Sequence, residues 1–401
     1  MISVPSERVI YLRYDIALSC DDIRFAYEGN GYYIIFAEQI YHTACRISYR
    51  ASDISLKSVL KTALLQKNIK NIEKMYSKPE KYVTIVCKLI TWRQTVKKTV
   101  PVILDTDIGS DIDDTWALAM ALKSPEIDLK LVTVTEFDVV YQAKLAAKML
   151  EIAGRSDIPV GIGISGNKFE NNCNIRDWVE DYDLSSYPNV REDGVQAIID
   201  TVMASDEKVT ILTIGAFRNL AAAVEREPRI KEKSKILGVC ANIYNGAFRG
   251  MNWHPPLGRE SNIWCSLEAF RRSACIEGWE TEIVPLDLTG CTVLNAERYA
   301  KVKAYGEKDP LIKAVMENTE IWYKNIGYEF HGESSCLFDT VGVYAAFTHE
   351  NMNYQRLPIY ANDDCLTLID PTLGKEMDVA ITWDDKDRFY KFLVARLCDE
   401  I

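Results

Sequence analysis

From about residue 100 onward, the sequence predicts an α/β fold: an open, mostly parallel sheet with helices on both faces. Three observations carry this prediction. Short apolar runs alternate with longer segments whose apolar residues recur at helical spacing, an order that is typical of right-handed βαβ units. The apolar runs hold many β-branched residues, as strands buried on both faces do. No internal repeat and no low-complexity segment interrupts the alternation.

Each element follows from the spacing of its apolar residues and from the residues that flank it. Apolar runs with little helical periodicity predict strands at 102–104, 129–135, 160–162, 209–214, 235–240 and 282–285. Helical periodicity predicts helices at 114–123, 139–153, 193–204, 217–226, 266–275, 295–304, 309–325 and 385–398.

Residues 1–98 differ from the rest of the chain. Aromatic and β-branched runs there alternate in a way that predicts a small antiparallel sheet. Residues 55–77 predict a helix that Ser55 would cap, with Pro79 just beyond its end. We therefore expect two parts: an α+β or mainly β extension at 1–98, and a catalytic domain at 99–401. Recruitment, oligomerisation and a lid are all open as roles for the extension.

Composition narrows the class of protein. The net charge of −11 disfavours nucleic acid as a partner, because phosphate binding relies on Lys and Arg. No segment approaches the roughly 20 apolar residues of a membrane span, and the N-terminus lacks the pattern of a signal peptide. The eleven cysteines are scattered without a C-x-x-C pair, which argues against zinc. We expect a cytoplasmic protein with reduced thiols.

The most informative segment directly follows the first predicted strand. It brings five carboxylates into ten residues: Asp105, Asp107, Asp111, Asp113 and Asp114. Because these groups repel one another, such a cluster indicates a bound cation, and ligands that are all oxygen indicate Ca²⁺ or Mg²⁺. The C-terminal end of a parallel strand is also where open α/β sheets place their ligands.

The segment ILDTDIGSDIDDTWALAMAL (103–122) resembles the N-terminal signature of the inosine-uridine-preferring nucleoside hydrolase family, D-T-D-x-G-x-D-D followed by a helix. Two residues are inserted here before the final Asp pair, which places the chain in a divergent branch. Five later segments resemble family motifs in the same order: LEIAGRSDIPVGIG (150–163), ILTIGAFRNLAAAV (211–224), GRESNIWCSLEAF (258–270), SCLFDTVGVYAAF (335–347) and MDVAITWDDKDRFYKFLVARL (377–397).

The resemblance implies calcium-dependent hydrolysis of the N-glycosidic bond of a ribonucleoside or related ribosyl compound, by a homo-oligomer. It implies that Asp107 is both a metal ligand and the base that activates water. Asp114, Asp339 and the backbone carbonyl of Ile214 would complete the metal site.

On the substrate side, the resemblance implies that Asp113 accepts hydrogen bonds from a ribose hydroxyl, while Glu260 and Asn262 hold the sugar from the far side. Asp105 is expected to be structural and to cap the turn by accepting backbone hydrogen bonds. Asp111 stays open between a site residue and an exposed helix N-cap.

The chain departs from the family pattern at two places. Phe338 stands where many members carry the His that acts as acid toward the leaving base. His254 and His331 are therefore candidates to line the substrate site. After the second strand, the family's T-x-x-G-N is replaced by TVTEFDVV (133–140), so Asp138 or Glu136 would take the place of an Asn near the ribose.

Two functions remain open on the sequence. The first is the N-ribosyl hydrolase itself, whose metal and ribose residues are intact. The second is a catalytically weak or inactive protein of the same fold that binds or senses a ribosylated ligand, because fold does not guarantee chemistry. The leaving base and any 5′ substituent are left open.

Overall fold

The computed structural model describes residues 99–166, 172–244 and 258–401. Ten strands in these ranges form one sheet, in the order β4-β3-β2-β1-β5-β6-β7-β10-β8-β9. The strands are β1 (Val100–Thr106), β2 (Ile127–Glu136), β3 (Val160–Ser165), β4 (Val190–Arg191), β5 (Val209–Thr213), β6 (Ser234–Val239), β7 (Thr281–Val284), β8 (Met352–Ala361), β9 (Thr367–Ile369) and β10 (Lys375–Trp383).

Eleven α-helices accompany the strands within the described ranges. They are α1 (Asp113–Lys123), α2 (Val139–Ile152), α3 (Gly194–Ala204), α4 (Arg218–Arg226), α5 (Ile230–Lys233), α6 (Ser261–Arg272), α7 (Leu286–Thr289), α8 (Ala296–Tyr305), α9 (Pro310–Ile326), α10 (Phe338–Phe347) and α11 (Lys386–Leu397).

The sheet is parallel from β4 to β10 and antiparallel at its far edge. Strand β1 pairs in parallel with both β2 and β5, whereas β8 pairs antiparallel with β10 and β9. The chain builds outward from β1 through β2, β3 and β4, and then returns to the other side of β1 with β5. The order therefore reverses between β1 and β5, and the crevice beyond the carboxyl ends of such strands is where open α/β sheets bind ligands.

Helices cover both faces of the sheet, and successive residues of β1 show how. Val102 and Leu104 are buried in a core formed with α1, α2, α9, α10 and α11. Ile103, which points to the opposite face, is buried in a second core formed with α3, α4 and α6. The predicted fold class of a mostly parallel sheet with helices on both faces is confirmed.

Most predicted elements lie within a few residues of the observed ones, and two differences matter. Helix α6 begins at Ser261 rather than at 266, because Glu260 caps it through backbone N–H groups. The antiparallel strands β8 and β9 were not predicted. The predicted N-terminal sheet and helix lie outside the described residues.

Within the residues that the structure describes, no helix combines the length and the apolar composition needed to cross a membrane.

Candidate active site

Asp105 is the buried anchor of the turn that follows β1. Its register partners are Thr133 on β2 and Thr213 on β5. Both hydroxyl groups donate to its carboxylate, at 2.5 and 3.5 Å, and the amide of Asn219 donates to it at 2.8 Å. Burial raises the pKa of Asp105 to about 6, against these hydrogen bonds, which lower it. Asp105 is therefore structural in this fold, but its carboxylate accepts from side chains rather than from backbone N–H groups.

Asn219 joins three strands at this point. Besides Asp105, its amide nitrogen donates to the carbonyl of Val134 at 3.0 Å, and its amide oxygen accepts from the backbone of Ile164 at 2.8 Å. Replacement by alanine would leave a buried carboxylate and a backbone N–H without this partner. We expect Asn219→Ala to lower the free energy of unfolding by about 3 kcal/mol, measured by urea denaturation.

The matched control for this prediction is Gln196→Ala. That side chain is exposed and bonds only along its own helix to Asp200, so we expect a change within about 0.5 kcal/mol. Equal effects of the two substitutions would show that Asn219 does not hold the strand ends together.

Three buried carboxylates converge beside this anchor. Asp113 and Asp114 form the first turn of α1, and Asp339 lies in the first turn of α10. One oxygen of each can be chosen so that all three lie within 4.8 Å of one another. The backbone N–H of Asp339 donates to the carboxylate of Asp113 at 3.4 Å. Buried carboxylates this close repel one another unless a proton or a cation offsets their charge.

Asp107 lies beside this group. The hydroxyl of Thr106, the residue before it, donates to the carboxylate of Asp114. The same hydroxyl accepts from the backbone N–H of Ile108 at 3.1 Å, so the turn and helix α1 are fixed relative to each other. The side chain of Asp107 is half-buried and is not one of the three carboxylates that meet within 4.8 Å.

The electrostatics of the cluster favour a cation. Burial, followed by the charges of Asp114 and Asp113, raises the pKa of Asp107 well above its ordinary value. Burial and neighbouring carboxylates do the same to Asp113 and Asp339. Burial raises the pKa of Asp114 to about 7. A bound cation would offset this repulsion and hold the groups ionised.

Asp111 is half-buried, and its carboxylate accepts from the next backbone N–H, that of Ile112, at 2.7 Å. Burial raises its pKa to about 6. The exposed N-cap interpretation does not hold, because the two-residue insertion places Ile112 at the cap position of α1.

Asn262 and the carbonyl of Ile214 meet across the site. The amide nitrogen of Asn262 donates to the backbone carbonyls of Ile214 and Val239, both at 2.9 Å. The Ile214 carbonyl, the predicted backbone metal ligand, thus lies at the end of β5 next to the predicted ribose residue. A carbonyl oxygen has two lone pairs, so one of them is left for a further partner.

Glu260 is buried at the N-terminus of α6. Its carboxylate accepts from the backbone N–H groups of Asn262, Ile263 and Ala241, at 2.7, 3.0 and 3.3 Å. Ala241 has a φ of +78°, so this last bond helps to hold a left-handed residue. Burial raises the pKa of Glu260 to about 7. The described contacts give Glu260 a structural task, and its contact with ribose remains a prediction.

The two acids after β2 have different partners. Glu136, with a φ of +80°, is buried and forms an ion pair with Arg218 at 2.5 Å. Asp138 instead caps α2 by accepting from Tyr141 and pairs with Arg176 at 2.8 Å, so its contacts lend no support to substrate binding. Of these two acids, only Glu136 contributes to the raised pKa of Asp107.

Of the two candidate histidines, one lies among the described residues. His331 is exposed, and its ring packs edge-on to that of Tyr328, with centroids 6.0 Å apart. His254 lies outside the described residues. Phe338, beside Asp339, is half-buried against the core, and its phenyl ring has no proton to donate to a leaving base.

Comparison with known proteins identifies the family to which the chain belongs. A family model described as inosine-uridine preferring nucleoside hydrolase matches residues 102–390. The chain belongs to the nucleoside hydrolase family. It is therefore an enzyme of the class that cleaves the N-glycosidic bond of ribonucleosides, as its sequence resemblance implies.

Named relatives of this nucleoside hydrolase include plant and bacterial proteins. Probable uridine nucleosidase 2 of Arabidopsis thaliana is 29% identical over 304 residues, which cover 71% of this chain and 90% of that protein. Pyrimidine-specific ribonucleoside hydrolase RihA of Escherichia coli O1:K1 is 29% identical over 216 residues, covering 51% of this chain and 66% of RihA.

Solved structures of nucleoside hydrolases share the fold. The plant nucleoside hydrolase PpNRh1 has a TM-score of 0.59 at 23% identity, and the match covers 75% of this chain and 99% of the PpNRh1 chain. The purine-preferring ribonucleoside hydrolase from Gardnerella vaginalis has a TM-score of 0.61 at 23% identity, covering 75% and 98%. At these identities the likeness shows the fold alone.

Sequence reasoning missed the residues that support the site. Thr106 and Asn219 could have been suspected from their position in the turn and in the 211–224 motif, but their partners are set by strand register. The Glu136–Arg218 pair joins residues 82 positions apart, and no local pattern in the sequence signals it.

Proposed function

We propose that this nucleoside hydrolase depends on Ca²⁺ and that its cation is held by Asp107, Asp114, Asp339 and the carbonyl of Ile214. The observation that carries the proposal is the convergence of buried, mutually repelling carboxylates, three of them with oxygens within 4.8 Å. The donors are all oxygen, which suits a hard divalent cation. Asp113 belongs to the same group of three and would face both the cation and a ribose hydroxyl.

When bound, the cation would lower the pKa of an attacking water and would bind the ribose hydroxyls. The residues of the chain divide the remaining work. Asp107 takes a proton from the water, since its carboxylate lies at the rim of the cluster and is half-buried. Asp113 accepts from a ribose hydroxyl. The cluster as a whole favours the positive charge that develops on the sugar in an oxocarbenium-like transition state.

The leaving base must be activated without a histidine beside Asp339. We propose that the substrate is a ribonucleoside. Activation of the leaving group then comes from the chemistry of the base itself, or from His331 or His254, which are both candidate substrate contacts. Two relatives are named for uridine or pyrimidine nucleosides, which makes uridine the first compound to test. The names do not settle the base for this chain.

The remaining expectations belong to the same proposal. We propose a domain boundary near residue 98, which the family match from residue 102 supports. We also propose a cytoplasmic location, on the scattered cysteines and the N-terminal pattern, and a homo-oligomer, on the sequence resemblance.

The test is calcium-dependent release of reducing sugar, which is ribose from a nucleoside and ribose 5-phosphate from a 5′-monophosphate. Metal-free protein is incubated with uridine, cytidine, inosine, adenosine, guanosine and their 5′-monophosphates, with Ca²⁺ or with chelator. We expect ribose release from at least one nucleoside, at least 100-fold faster with Ca²⁺ than with chelator. Equal release in the two conditions would contradict the calcium dependence.

The alternative function predicts a different outcome of the same experiment. If no compound is hydrolysed while uridine or inosine raises the melting temperature in the presence of Ca²⁺, the protein binds rather than cleaves. The absence of the usual acid, with Phe338 in its place, is the observation that keeps this alternative in the test.

A further inference from the structure

Arg218 connects the carboxylate side of the site with the helix that carries the predicted ribose residues. Its Nε and Nη2 atoms donate to the two oxygens of Glu136, at 2.5 and 3.2 Å. Nη2 also donates to the carbonyl of Cys265 at 2.9 Å. Glu136 ends β2, while Cys265 lies on α6, one turn after Asn262. One guanidinium group thus joins a strand end and a helix that do not follow each other in the chain.

The contact on α6 is made at a kink. Ser266 has non-helical backbone angles inside α6, with φ −141° and ψ 43°. Its hydroxyl donates to the carbonyl of Asn262 at 2.8 Å and accepts from the backbone N–H of Phe217 at 3.0 Å. Side chains that enter the hydrogen-bond ladder bend helices in this way. Two consecutive residues at the start of α4 therefore bind two consecutive residues at the kink.

The first turn of α6, before the kink, holds the predicted ribose residues. Glu260 caps the helix, and the amide of Asn262 is bound to the carbonyls of Ile214 and Val239. A shift of α6 would move both residues relative to the carboxylates on β1 and α1. The position of α6 against the ends of the strands therefore decides whether ribose can contact the carboxylates and the first turn of α6 at the same time.

Charge makes this connection specific to arginine. Glu136 is 1% exposed, whereas Arg218 is 26% exposed, so the buried partner is the anion. A planar guanidinium can bind a carboxylate with two donors and still reach a carbonyl, which a lysine ammonium on a flexible chain does less well.

We propose that Arg218 is a positioning residue for ribose binding. Through Glu136 and the Cys265 carbonyl, it holds the kinked helix α6 in place relative to the turn at 105–114 that carries the carboxylates. This rests on the proposed ribose roles of Asn262 and Glu260. The guanidinium hydrogen-bonds to Glu136 and the Cys265 carbonyl and to none of the predicted metal ligands. Its loss therefore weakens substrate binding in the ground state and the transition state alike.

The test compares Arg218→Gln, Arg218→Lys and the double variant Glu136→Gln/Arg218→Gln with the wild type. For the nucleoside that the wild type cleaves fastest, we expect Arg218→Gln to raise KM at least tenfold. The value of kcat and the calcium dissociation constant should change less than threefold. Arg218→Lys should recover part of the loss. Arg226→Gln, on the same helix in an exposed pair with Asp193, is the matched control and should keep the wild-type KM.

The double variant separates positioning from charge balance. Because Glu136 is replaced as well, no Glu136 carboxylate is left buried without its arginine. The double variant can therefore be measured even if Arg218→Gln alone fails to fold. A KM raised by the same factor in the double variant as in Arg218→Gln supports positioning of α6, because loss of a direct ribose contact at Glu136 would raise it further. A wild-type KM in the double variant, or in Arg218→Gln, would overturn the inference.

A binding readout keeps this test independent of turnover. If the wild type cleaves no nucleoside, the proposed hydrolysis fails but the positioning role can still be measured. D-ribose with Ca²⁺ should then shift the melting temperature, and Arg218→Gln should need at least tenfold more ribose for half of the maximal shift. If Arg218→Gln reaches half of the maximal shift at the same ribose concentration as the wild type, the positioning role is overturned.

Discussion

Replacing Asp107 by alanine is expected to abolish both cation binding and ribose release. The carboxylate is the predicted base, and its neighbours Asp113 and Asp114 leave it in a cluster that a cation would hold together. Asp107→Asn is the sharper variant, because an amide oxygen can still bind a cation but cannot take a proton from water. We expect Asp107→Asn to lower kcat about 10³-fold, within the usual range for a general base, measured at saturating substrate and Ca²⁺.

The control for both variants is Asp193→Asn. That exposed residue caps α3 and pairs with Arg226 at the surface, so we expect wild-type kcat and calcium affinity. Retained turnover in Asp107→Ala would show that neither the base nor the ligand is Asp107. The base and one ligand would then have to be sought among Asp111, Asp113 and Asp114.

Calcium is expected to stabilise the protein, and to do so more at pH 8 than at pH 5.5. A ligand at 100 times its dissociation constant that binds only the folded state adds about 2.7 kcal/mol. For a domain of about 300 residues that corresponds to roughly 4 °C in melting temperature. The measurement is a thermal melt of metal-free protein with and without Ca²⁺ at each pH.

The direction of the pH effect follows from the raised pKa values of Asp107, Asp113 and Asp339. Without a cation, these folded-state carboxyls keep protons that the unfolded chain releases near pH 4. The stability of the metal-free protein therefore falls as pH rises from about 4 through the raised pKa values. The cation displaces these protons, so its stabilising effect grows over the same interval.

Asp339→Asn tests whether the stabilisation arises at this cluster. Loss of one carboxylate should reduce the calcium-induced shift at pH 8 by at least half, whereas Asp193→Asn should leave it unchanged. A calcium shift that is the same at pH 5.5 and pH 8, or is unaffected by Asp339→Asn, would place the cation elsewhere.

Local patterns in the sequence were sufficient for the fold class and for the carboxylate turn. The apolar run before Asp105 predicted β1, and the five acids that follow it predicted a cation site at the carboxyl end of the strand. Asp339 is 225 residues beyond Asp114, and only the ordered resemblance to a family brought the two together. The structure then places their carboxylates side by side.

What local patterns could not predict depends on contacts between distant elements. The start of α6 was placed five residues late, because a buried glutamate cap and a serine-induced kink obscure the helical periodicity. The different partners of Glu136 and Asp138 also come from the fold, since α4 brings Arg218 against the end of β2. The partners of Asp105 likewise come from strand register, which the sequence of β1 alone does not specify.

A crystal structure of the protein grown with Ca²⁺ tests the central claim most directly. We expect one ion bound by carboxylate oxygens of Asp107, Asp114 and Asp339 and by the carbonyl of Ile214, at the distances of about 2.3–2.6 Å that Ca²⁺ prefers. The same three carboxylates without an ion at millimolar Ca²⁺, or an ion bound away from them, would contradict the claim.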